Sequence, residues 1–510
     1  MKLVNVLRNH GKKKLIKASY GIPSLLMMLI INCASAQQLV LRGDYPDPSV
    51  IKVGDTYWAS ATTSNWAPVY PMLQSKDLVH WETKAFVFPN LPEWADYYFW
   101  APELNYDNGK VYVYYSAHRK NGNLCVGVAS ADKPEGPYKD HGPLICQEAG
   151  SIDAFPMRDE NGKLHIIWKE DGNSVGKPTP IWISELNEER TALIGEKKEM
   201  FRNDKEWEAN LVEGVSMIHK GEYYYAFYAA AGCCGAACTY GVGIARSRSL
   251  HGPWEKYEKN PVLKHTSHWK CPGHGTPVEK DGRNYFLYHA YDAASTIYTG
   301  REGLLIEYQF TDDGWIDFME NNIKDASVPI TNAVYEFDST GLTADWQWSV
   351  FQKPRFTIDN GKLHLQASDS AAGALLGHKI ISGNYSASVK VHKTTAGVVS
   401  GLTVIGDDDN MIGVFHDGNK LSVIQRRQGV DSVIASSPVK NSASIYLKVS
   451  STNGNSLSFS CSTNGRNYEL INKQPADASN LPPWDRALRV GLISRGSTGT
   501  SVFDSFSIRY

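Results

Sequence analysis

The sequence repeats one short phrase five times: GDTYW at 54–58, GKVYV at 109–113, GKLHI at 162–166, GEYYY at 221–225 and GRNYF at 282–286. Each phrase opens with a glycine, which suits a turn, and continues with β-branched and aromatic residues, which favour strands. The glycines lie 55, 53, 59 and 61 residues apart. Units of this length with several short strands are typical of propeller blades. Residues 40–328 are therefore predicted to form a five-bladed β-propeller.

A second phrase recurs later in several of these units, as SKDLVHW at 75–81, SADKPEGPY at 130–138 and SRSLHGPW at 247–254. Helical periodicity of useful length is nearly absent from the whole chain. The two recurring phrases and the lack of helical pattern predict an all-β fold.

The composition changes after about residue 330, because eleven of the 14 tryptophans lie before that point. Beyond it the chain is rich in Ser, Thr, Asn and Gly, and its apolar residues alternate with polar ones, as in GKLHLQ at 361–366 and YSASVKV at 385–391. Alternation between polar turns is typical of antiparallel sheets with one buried face. Residues 334–510 are therefore predicted to form an antiparallel β-sandwich.

The first 36 residues have the pattern of a secretory signal peptide. Six basic residues and no acidic residue precede or flank an apolar run at 25–31, and Ala34-Ser35-Ala36 follows as a cleavage site. The apolar run is too short to span a bilayer. We expect a secreted or periplasmic protein without a membrane span. As an alternative, Cys33 resembles a loose lipoprotein cysteine and would anchor the protein to lipid.

Charge excludes one class of partner. The net charge is −2, and the basic residues of the leader make the rest of the chain more acidic still. A mildly acidic protein is a poor candidate for nucleic-acid binding. The chain also lacks a phosphate-binding loop and an H-E-x-x-H zinc motif. Aromatic residues make up 11% of the sequence, and flat rings suit a protein that holds sugars.

Seven cysteines remain after the predicted cleavage, and an exported protein can oxidise them. Cys233, Cys234 and Cys238 lie too close together for a zinc site with paired C-x-x-C motifs. Local disulfides in this cluster, with Cys271 as a further partner, are the favoured interpretation. Three buried, inert thiols are the alternative.

Four of the five units place a titratable residue seven to nine positions before the repeated glycine. Asp47, Asp153, Glu213 and His274 lie seven, nine, eight and eight residues before it, whereas the second unit has Ala101-Pro102 there. In a propeller the innermost strand of each blade lines the central channel. Equivalent positions at the start of those strands should therefore meet near one mouth of the channel.

Carboxyl groups that converge shift one another's pKa values. Repulsion between like charges and burial raise the pKa of one carboxyl group, while its neighbour stays ionised. Hydrolysis of a glycosidic bond needs such a pair, an acid on the leaving oxygen and a base on a water at the other face of the ring. Each acid alone has a simpler explanation: Asp47 lies between two prolines in a predicted turn, and Asp153 follows Gly150-Ser151-Ile152 and would cap one. Glu213 begins an apolar strand, which does not favour a solvated acid.

These residues carry a family resemblance. DPS at 47–49, WAPE at 100–103, SID at 151–153, VEG at 212–214 and HGTP at 274–277 resemble, in order and across all five units, the motifs of glycoside hydrolase family 43. The C-terminal part, with FD at 337–338, DWQW at 345–348, NGKL at 360–363 and FDSF at 503–506, is similar to the concanavalin-like jelly roll of many members.

The resemblance implies inverting hydrolases that act on arabinofuranosides, xylosides, arabinans or galactosides, and it implies roles for four residues. Asp47 would be the general base, Glu213 the general acid, and Asp153 would orient the acid and tune its pKa. In the family the fifth-blade histidine often holds a metal ion through water, so His274 is the candidate for a structural calcium or sodium. A packed, hydrogen-bonded histidine is the alternative. No cofactor is expected for the chemistry itself.

Five further residues are candidates for substrate binding. Trp66 and Trp100 would stack on sugar rings if exposed to the pocket, with packing between blades as the alternative. Phe155 follows Asp153 by two positions and so points to the same side of an extended strand. Tyr240 follows the cysteine cluster, whose loop at 229–239 would narrow the pocket. Arg301 matches a fifth-blade arginine of the family that contacts substrate hydroxyls or the acids.

We therefore expect an exported, inverting exo-glycosidase that releases terminal pentose from plant-type poly- or oligosaccharides, an α-L-arabinofuranosidase in the first place. A β-xylosidase is the nearest alternative, because the two sugars present similar hydroxyl patterns, and a galactosidase or arabinanase follows. Two other classes remain open: a sugar-binding propeller without catalysis, and a retaining propeller family that acts on fructans.

Overall fold

The computed structural model describes residues 37–294, 296–319, 325–326, 328–339, 341–392, 397–439 and 443–510. The predicted signal peptide and Cys33 lie outside these residues. Within them, no helix has the length and apolar character needed to cross a bilayer. The short 3-10 helices are Gly172–Val175, Glu206–Glu208 and Thr296–Tyr298.

The N-terminal part contains five sheets of antiparallel strands, with one parallel pairing in the fifth, which confirms the predicted five-bladed β-propeller. Blade 1 consists of Ser49–Val53, Thr56–Ser60, Val69–Ser75 and Glu82–Phe88, and blade 2 of Ala95–Asp107, Lys110–Arg119, Leu124–Ala131 and Lys139–Cys146. Blade 3 consists of Ser151–Arg158, Leu164–Glu170, Ile181–Glu185 and Lys198–Phe201, and blade 4 of Val212–Lys220, Tyr223–Ala230, Gly241–Ser247 and Glu255–Lys256. Each repeated glycine lies in the turn between the first and second strands of its blade.

Blade 5 closes the ring with strands from both ends of the propeller. Its strands are Trp269–Lys280, Arg283–Asp292 and Glu302–Phe310, followed by Gln38–Leu41 and Asp325–Ala326, with Ile316–Phe318 beside the third strand. The N-terminal strand Gln38–Leu41 pairs antiparallel with Glu302–Phe310, with Gln38 opposite Leu305. The ring thus depends on a pairing between residues more than 260 positions apart.

The first strand of each blade contacts the first strand of the next, and the fifth contacts the first, so these strands line the central channel. The backbone of each blade is irregular at or next to the position that carries the titratable residue in four blades and Ala101 in blade 2. The backbone φ is positive at Asp47 (50°), Ala101 (42°), Asp153 (56°), Gly214 (60°) and His274 (23°). In blades 2 to 5 the pairing with the second strand also shifts here. Such bulges re-aim side chains.

The C-terminal part is an antiparallel sandwich of two sheets, as predicted. One sheet has the order Phe356–Asp359, Lys362–Gln366, Thr500–Arg509, Tyr385–His392, Ser444–Thr452, Ser456–Ser462 and Glu469–Leu470, with Ala333–Tyr335 and Ala476–Asp477 beside it. The other has the order Val430–Pro438, Lys420–Arg427, Asn410–His416, Val399–Asp407, Arg489–Arg495, Ala374–Lys379 and Trp346–Ser349. Alternate residues of both sheets form one buried apolar core, for example Leu363, Val389 and Leu492.

The propeller and the sandwich share this second sheet, because Trp66–Ala67 of the propeller pairs with Trp346–Ser349 at its edge. A buried ion pair lies beside this junction. Nη2 of Arg489 donates to Oδ2 of Asp44 over 3.1 Å, and the arginine also lies 5.1 Å from the ring of Trp66. Residues 35–510 form one compact unit, and the domain boundaries at 328 and 334 stay a prediction.

Three disulfides join Cys125 to Cys146, Cys233 to Cys234 and Cys238 to Cys271. The favoured interpretation of local disulfides in the cysteine cluster agrees with the last two. The first links neighbouring strands of blade 2 and was not anticipated. Cys238–Cys271 ties a loop of blade 4 to the first strand of blade 5.

The substitution Asp44→Ala should destabilise the protein by about 3 kcal/mol, because it leaves the buried Arg489 guanidinium without its counter-charge. Chemical denaturation measures this free energy of unfolding. Asp55→Ala is the matched control and should have a much smaller effect, since Asp55 pairs with Lys76 on the exposed surface, where water and salt screen the two charges. Equal effects of the two substitutions would contradict the assigned role of the junction pair.

Candidate active site

One pocket of about 420 Å³ opens at the mouth of the channel, and it brings together the four titratable residues that the repeats predicted. It is lined by Asp47, Tyr98, Trp100, Leu124, Ile152, Asp153, Lys169, Asp171, Asn173, Ser174, Leu211, Glu213, Cys233, Cys234, Tyr240, His274, Arg301, Trp484 and Asp485. The three acids come from blades 1, 3 and 4, so only the closed ring brings them together.

Asp47 is buried and held as a carboxylate. Its Oδ2 accepts a hydrogen bond from Oγ1 of Thr62 at 2.6 Å, and its Oδ1 accepts one from Nη1 of Arg301 at 3.1 Å. Its backbone N–H donates to Nδ1 of His289 at 2.9 Å, which requires a neutral imidazole. Burial alone would raise the pKa of Asp47, but the positive charge of Arg301, with the hydrogen bond from Thr62, lowers it to about 2. The carboxylate therefore stays ionised at neutral pH.

Asp153 lies in the opposite electrostatic setting. Its Oδ2 accepts a hydrogen bond from the backbone N–H of Gly214 at 3.0 Å, and its own N–H donates to Oγ of Ser116. Burial raises the pKa of Asp153 above its ordinary value, and the carboxyl of Glu213 adds to this, while His274 opposes it. Nδ1 of His274 lies 3.9 Å from Oδ2 of Asp153 and 3.8 Å from Oδ1 of Asp47, so this imidazole faces both acids.

Glu213 is held between two donors. Nζ of Lys169 donates to its Oε2 at 2.6 Å, and the hydroxyl of Tyr240 donates to its Oε1 at 2.8 Å. Lys169 also donates to Asp171 at 2.9 Å and is almost wholly buried. Burial opposes the charge of this lysine, yet the carboxylates of Glu213 and Asp171 outweigh it and raise its pKa. The position of Glu213 is thus fixed on both oxygens.

The pocket therefore combines an ionised carboxylate, a carboxyl group with a raised pKa and a third carboxyl group with fixed oxygens. Groups whose environments push their pKa values apart are what acid–base chemistry at neutral pH requires. No metal or cofactor is needed for such a proton transfer.

The structure places three of the five predicted substrate-binding residues at the pocket, Trp100, Tyr240 and Arg301. Trp66 and Phe155 do not line this pocket. Trp66 is 2% exposed and packs against the sandwich, because its short strand extends the sandwich sheet. Phe155 packs between blades 3 and 4, because the bulge after Ile152 breaks the simple alternation of the strand.

Several residues of the site were missed by sequence reasoning. Lys169 had a usable signal, since a lysine that directly continues the apolar run Ile166-Ile167-Trp168 needs a partner if its strand is buried. Thr62 and His289 had none. Thr62 follows the second strand of blade 1 and donates to Asp47 of the same blade, and His289 lies in the second strand of blade 5 and reaches Asp47 only across the ring closure.

The sandwich contributes the segment Trp484-Asp485 to the pocket. The indole ring of Trp484 lies 5.7 Å from that of Trp100, edge to face. Asp485 accepts hydrogen bonds from the Trp100 indole N–H at 3.1 Å and, through its carbonyl, from Arg301 at 3.1 Å. It also accepts one from Ser64. The pocket wall therefore depends on both parts of the chain.

The adjacent cysteines Cys233 and Cys234 form a second part of the wall. Their loop is held by hydrogen bonds from the N–H of Thr239 to the carbonyl of Gly232 at 2.8 Å and from the N–H of Gly235 to the hydroxyl of Tyr291 at 3.2 Å. The Cys238–Cys271 disulfide holds its far end. The loop presents sulfur atoms, rather than a flexible polar chain, to the pocket.

Comparison with known families agrees with this site. Residues 36–316 match the model of the family described as glycosyl hydrolases family 43, and residues 334–483 match that of the beta xylosidase C-terminal concanavalin A-like domain. The first match covers more than half of the chain. The chain belongs to glycosyl hydrolase family 43. The resemblance inferred from the five motifs is confirmed.

Similar proteins of the family differ in the sugar that their names give. A Humicola insolens xylosidase/arabinosidase 43B is 28% identical over 65% of this chain and 66% of its own length. A Bacteroides ovatus non-reducing end α-L-arabinofuranosidase, BoGH43B, is 25% identical over 79% and 82%. The structure of the GH43 protein BlXynB from Bacillus licheniformis has the same fold, with a TM-score of 0.77, 23% identity and coverage of 93% and 99%. The chain spans 45% to 66% of the length of the first relatives that it matches.

The residues around His274 do not form a cation site from side chains alone. A three-ligand cluster requires ligand atoms close to one another, and among the described residues the cluster with this spacing is Asp159, His165 and His251. At His274 the facing carboxylate of Asp47 is already used by Arg301 and Thr62. A metal at His274 stays a prediction, and no step below depends on it.

Glu103 lies below the site in this family 43 propeller, buried between blades, and accepts a hydrogen bond from Thr276 at 3.3 Å. Burial raises the pKa of Glu103 to about 8, against smaller opposing effects of Ser49 and Thr276. The folded protein therefore holds a proton that the unfolded chain loses at lower pH. Stability must fall as the pH rises through this range.

The variant Glu103→Gln should remove this pH dependence. Relative to the wild type it should gain roughly 2 kcal/mol of unfolding free energy between about pH 5 and about pH 8, because the amide has no proton to lose. Urea denaturation at both pH values measures the difference. The exposed Glu82→Gln variant is the control, and its unfolding free energy should differ from that of the wild type by the same amount at both pH values. The same outcome for Glu103→Gln would rule out a proton held by Glu103.

Proposed function

We propose that this chain is an exported exo-glycosidase that releases terminal pentose residues with inversion of configuration, an α-L-arabinofuranosidase in the first place and a β-xylosidase as the alternative. One observation carries the proposal: an ionised Asp47, fixed by Arg301 and Thr62, shares one pocket with Glu213, fixed by Lys169 and Tyr240. Inverting hydrolysis needs a base and an acid at separate, fixed positions.

In the proposed reaction Asp47 accepts a proton from a water molecule, and the oxygen of that water bonds to the anomeric carbon. The bond from this carbon to the leaving oxygen breaks, and Glu213 gives its proton to that oxygen. Turnover leaves Asp47 protonated and Glu213 ionised, and exchange with solvent restores both. The pKa of Asp47, lowered to about 2, makes it a weak base in the ground state, so its role rests on position.

Asp153 helps to keep a proton available to Glu213. Two neighbouring carboxyl groups in one pocket do not both ionise readily, and the raised pKa of Asp153 reflects burial and the presence of Glu213. We infer that the pair retains a proton near neutral pH, which moves to Glu213 when substrate binds. Lys169 then keeps its hydrogen bond to Asp171, and this bond holds the ammonium group of Lys169 in place while Glu213 donates its proton to the leaving oxygen.

The shape of the pocket supports exo action on a chain end. Trp484 of the sandwich and the loop with Cys233 and Cys234 stand at its wall, and Trp100 offers a partly exposed ring between them. A pocket of about 420 Å³ lies within the range of small-ligand sites rather than of open polymer grooves. An arabinanase is less well supported for this reason.

The choice of arabinose over xylose rests on one similar protein that matches most of this chain and whose name gives arabinofuranosidase activity. The names of other similar proteins give xylosidase activity, so xylose is retained as the alternative. A galactosidase follows as a weaker alternative. A sugar-binding propeller without catalysis is disfavoured, since three acids with fixed partners face the pocket. Export and lipid anchoring through Cys33 are predictions that rest on residues 1–36.

Substitution of the two acids should separate their roles. Asp47→Asn should lower kcat on every substrate by about 10³-fold, whereas Glu213→Gln should cost about 10²–10⁴-fold on a disaccharide and much less on an aryl glycoside whose phenol leaves without a proton. Initial rates on aryl α-L-arabinofuranoside, aryl β-D-xyloside and the matching disaccharides measure the loss of kcat in each variant. The same rates identify the sugar that the wild type releases.

The exposed Glu82→Gln variant is the activity control. Nuclear magnetic resonance of the first-formed anomer gives the stereochemistry. Retention of configuration would contradict a water-activating Asp47 and favour the fructan-type alternative. Sugar binding without turnover, unaffected by Glu213→Gln, would favour the sugar-binding propeller.

The pH profile should depend on Asp153. Because the pKa of Asp47 is lowered to about 2, protonation of the base should not limit kcat/KM at moderately acid pH. On the alkaline side kcat/KM should fall as the pair loses its proton. Asp153→Asn removes a neighbouring negative charge, so this alkaline limb should shift to lower pH by about one unit or more. A purely structural role for Asp153 would lower the whole profile without moving the limb.

A further inference from the structure

Blade 3 departs from the repeat at one position outside the pocket. The third residue after the repeated glycine is tyrosine in four blades, namely Tyr57, Tyr112, Tyr224 and Tyr285, but it is His165 in blade 3. A second histidine, His251, lies in the second recurring phrase, in blade 4. The structure brings both together with Asp159, with one potential ligand atom from each residue within 4.8 Å of the others.

We propose that Asp159, His165 and His251 bind a divalent transition-metal ion at the junction of blades 3 and 4. Two imidazole nitrogens and one carboxylate oxygen form a ligand set that suits zinc, copper, nickel or cobalt, whereas calcium and magnesium prefer oxygen ligands throughout. Zinc is the ion for which this set is most familiar, with three protein ligands and a fourth position for water.

His165 is oriented as a metal ligand should be. Its ring is buried, and Nδ1 lies 3.1 Å from the carbonyl oxygen of Lys163. A carbonyl oxygen only accepts hydrogen bonds, so Nδ1 carries the proton and Nε2 carries the free electron pair. A hydrogen bond of this kind from the second ring nitrogen to a backbone carbonyl sets the tautomer and the orientation of metal-binding histidines.

Asp159 is fixed by its own turn. Its Oδ1 accepts hydrogen bonds from the backbone N–H groups of Asn161 and Lys163, both at 2.9 Å. The carboxylate is thereby oriented before any ion arrives, and Oδ2 takes no part in these two bonds. Preorientation of this kind reduces the entropy that binding must overcome.

His251 completes the site from the neighbouring blade. Its ring lies edge to face with that of His165, with 5.0 Å between the ring centres. It is exposed to solvent, which leaves room for water at the remaining coordination positions. Glu160 adds negative charge near His251, while Lys198 adds positive charge and weakens the attraction.

The proposed site is separate from the chemistry. Asp159 follows the end of strand Ser151–Arg158, and Asp153 is the third residue of that strand. Six residues of extended chain span about 20 Å. An ion there would link blades 3 and 4 and would stabilise the folded protein by mass action, without contact with the acids of the pocket.

Isothermal titration of chelator-treated full-length protein with ZnCl₂ tests the proposal, with thermal unfolding as a second readout. The wild type should bind one zinc ion at this site and unfold at a higher temperature in its presence. His251→Ala should weaken this binding at least tenfold and abolish the thermal shift. Asp159→Asn should also weaken zinc binding and reduce the thermal shift, but by less than His251→Ala. CaCl₂ should produce no shift.

His80→Ala is the matched control. His80 is an exposed histidine that lies 2.7 Å from Asp77 and belongs to no three-ligand cluster within the described part of the chain, so its loss should leave zinc binding unchanged. Absence of zinc binding by the wild type would overturn the proposal. Equal zinc binding by wild type and the folded His251→Ala variant would overturn it as well, since the ion would then lie elsewhere.

Discussion

The closure of the ring between the strands Gln38–Leu41 and Glu302–Phe310 is the constraint on which the active site depends. Asp47 follows the first of these strands by six residues, and Arg301 directly precedes the second. Their pairing, extended by the hydrogen bond from the N–H of Tyr45 to the carbonyl of Arg301 at 2.8 Å, places the guanidinium 3.1 Å from the carboxylate. Without closure Asp47 would lose the cation that keeps it ionised, and blade 5 would lose its fourth strand.

The local irregularity of the inner strands turns this ring into a site. A regular strand would alternate its side chains between two faces and could not direct one residue of every blade to the channel mouth. Bulges with left-handed backbone do so at Asp153 and His274, and at Gly214 beside Glu213. The preceding blade holds the backbone at such a bulge in blade 3, because the N–H of Asp153 donates to Oγ of Ser116 in blade 2. The site is therefore part of the packing between blades and is rigid for that reason.

The sandwich takes part in both stability and recognition. Its Arg489 pairs with Asp44 under the junction, and its strand Trp346–Ser349 continues into Trp66–Ala67 of blade 1. From this anchored sheet the chain extends Trp484 and Asp485 to the pocket, where Asp485 accepts from Trp100 and Arg301. The same contacts that hold the two parts together thus position a wall of the site. The site therefore depends on how the sandwich packs on the propeller.

The sequence by itself determined the all-β class and the number of blades, because the spacing of the repeated turn-and-strand phrase gives the number of repeats. It also determined the common position of Asp47, Asp153, Glu213 and His274 in their blades, because equivalent positions in a ring converge. It could not place Trp66 or Phe155, whose side chains follow a shared sheet and a bulge that change the simple alternation of a strand. It gave no sign of His289, Trp484 or Asp485, which reach the pocket from distant segments. Only the tertiary structure decided the direction of each pKa shift. Arg301 of blade 5 lowers the pKa of Asp47 in blade 1, and burial between blades, with Glu213 of blade 4, raises the pKa of Asp153.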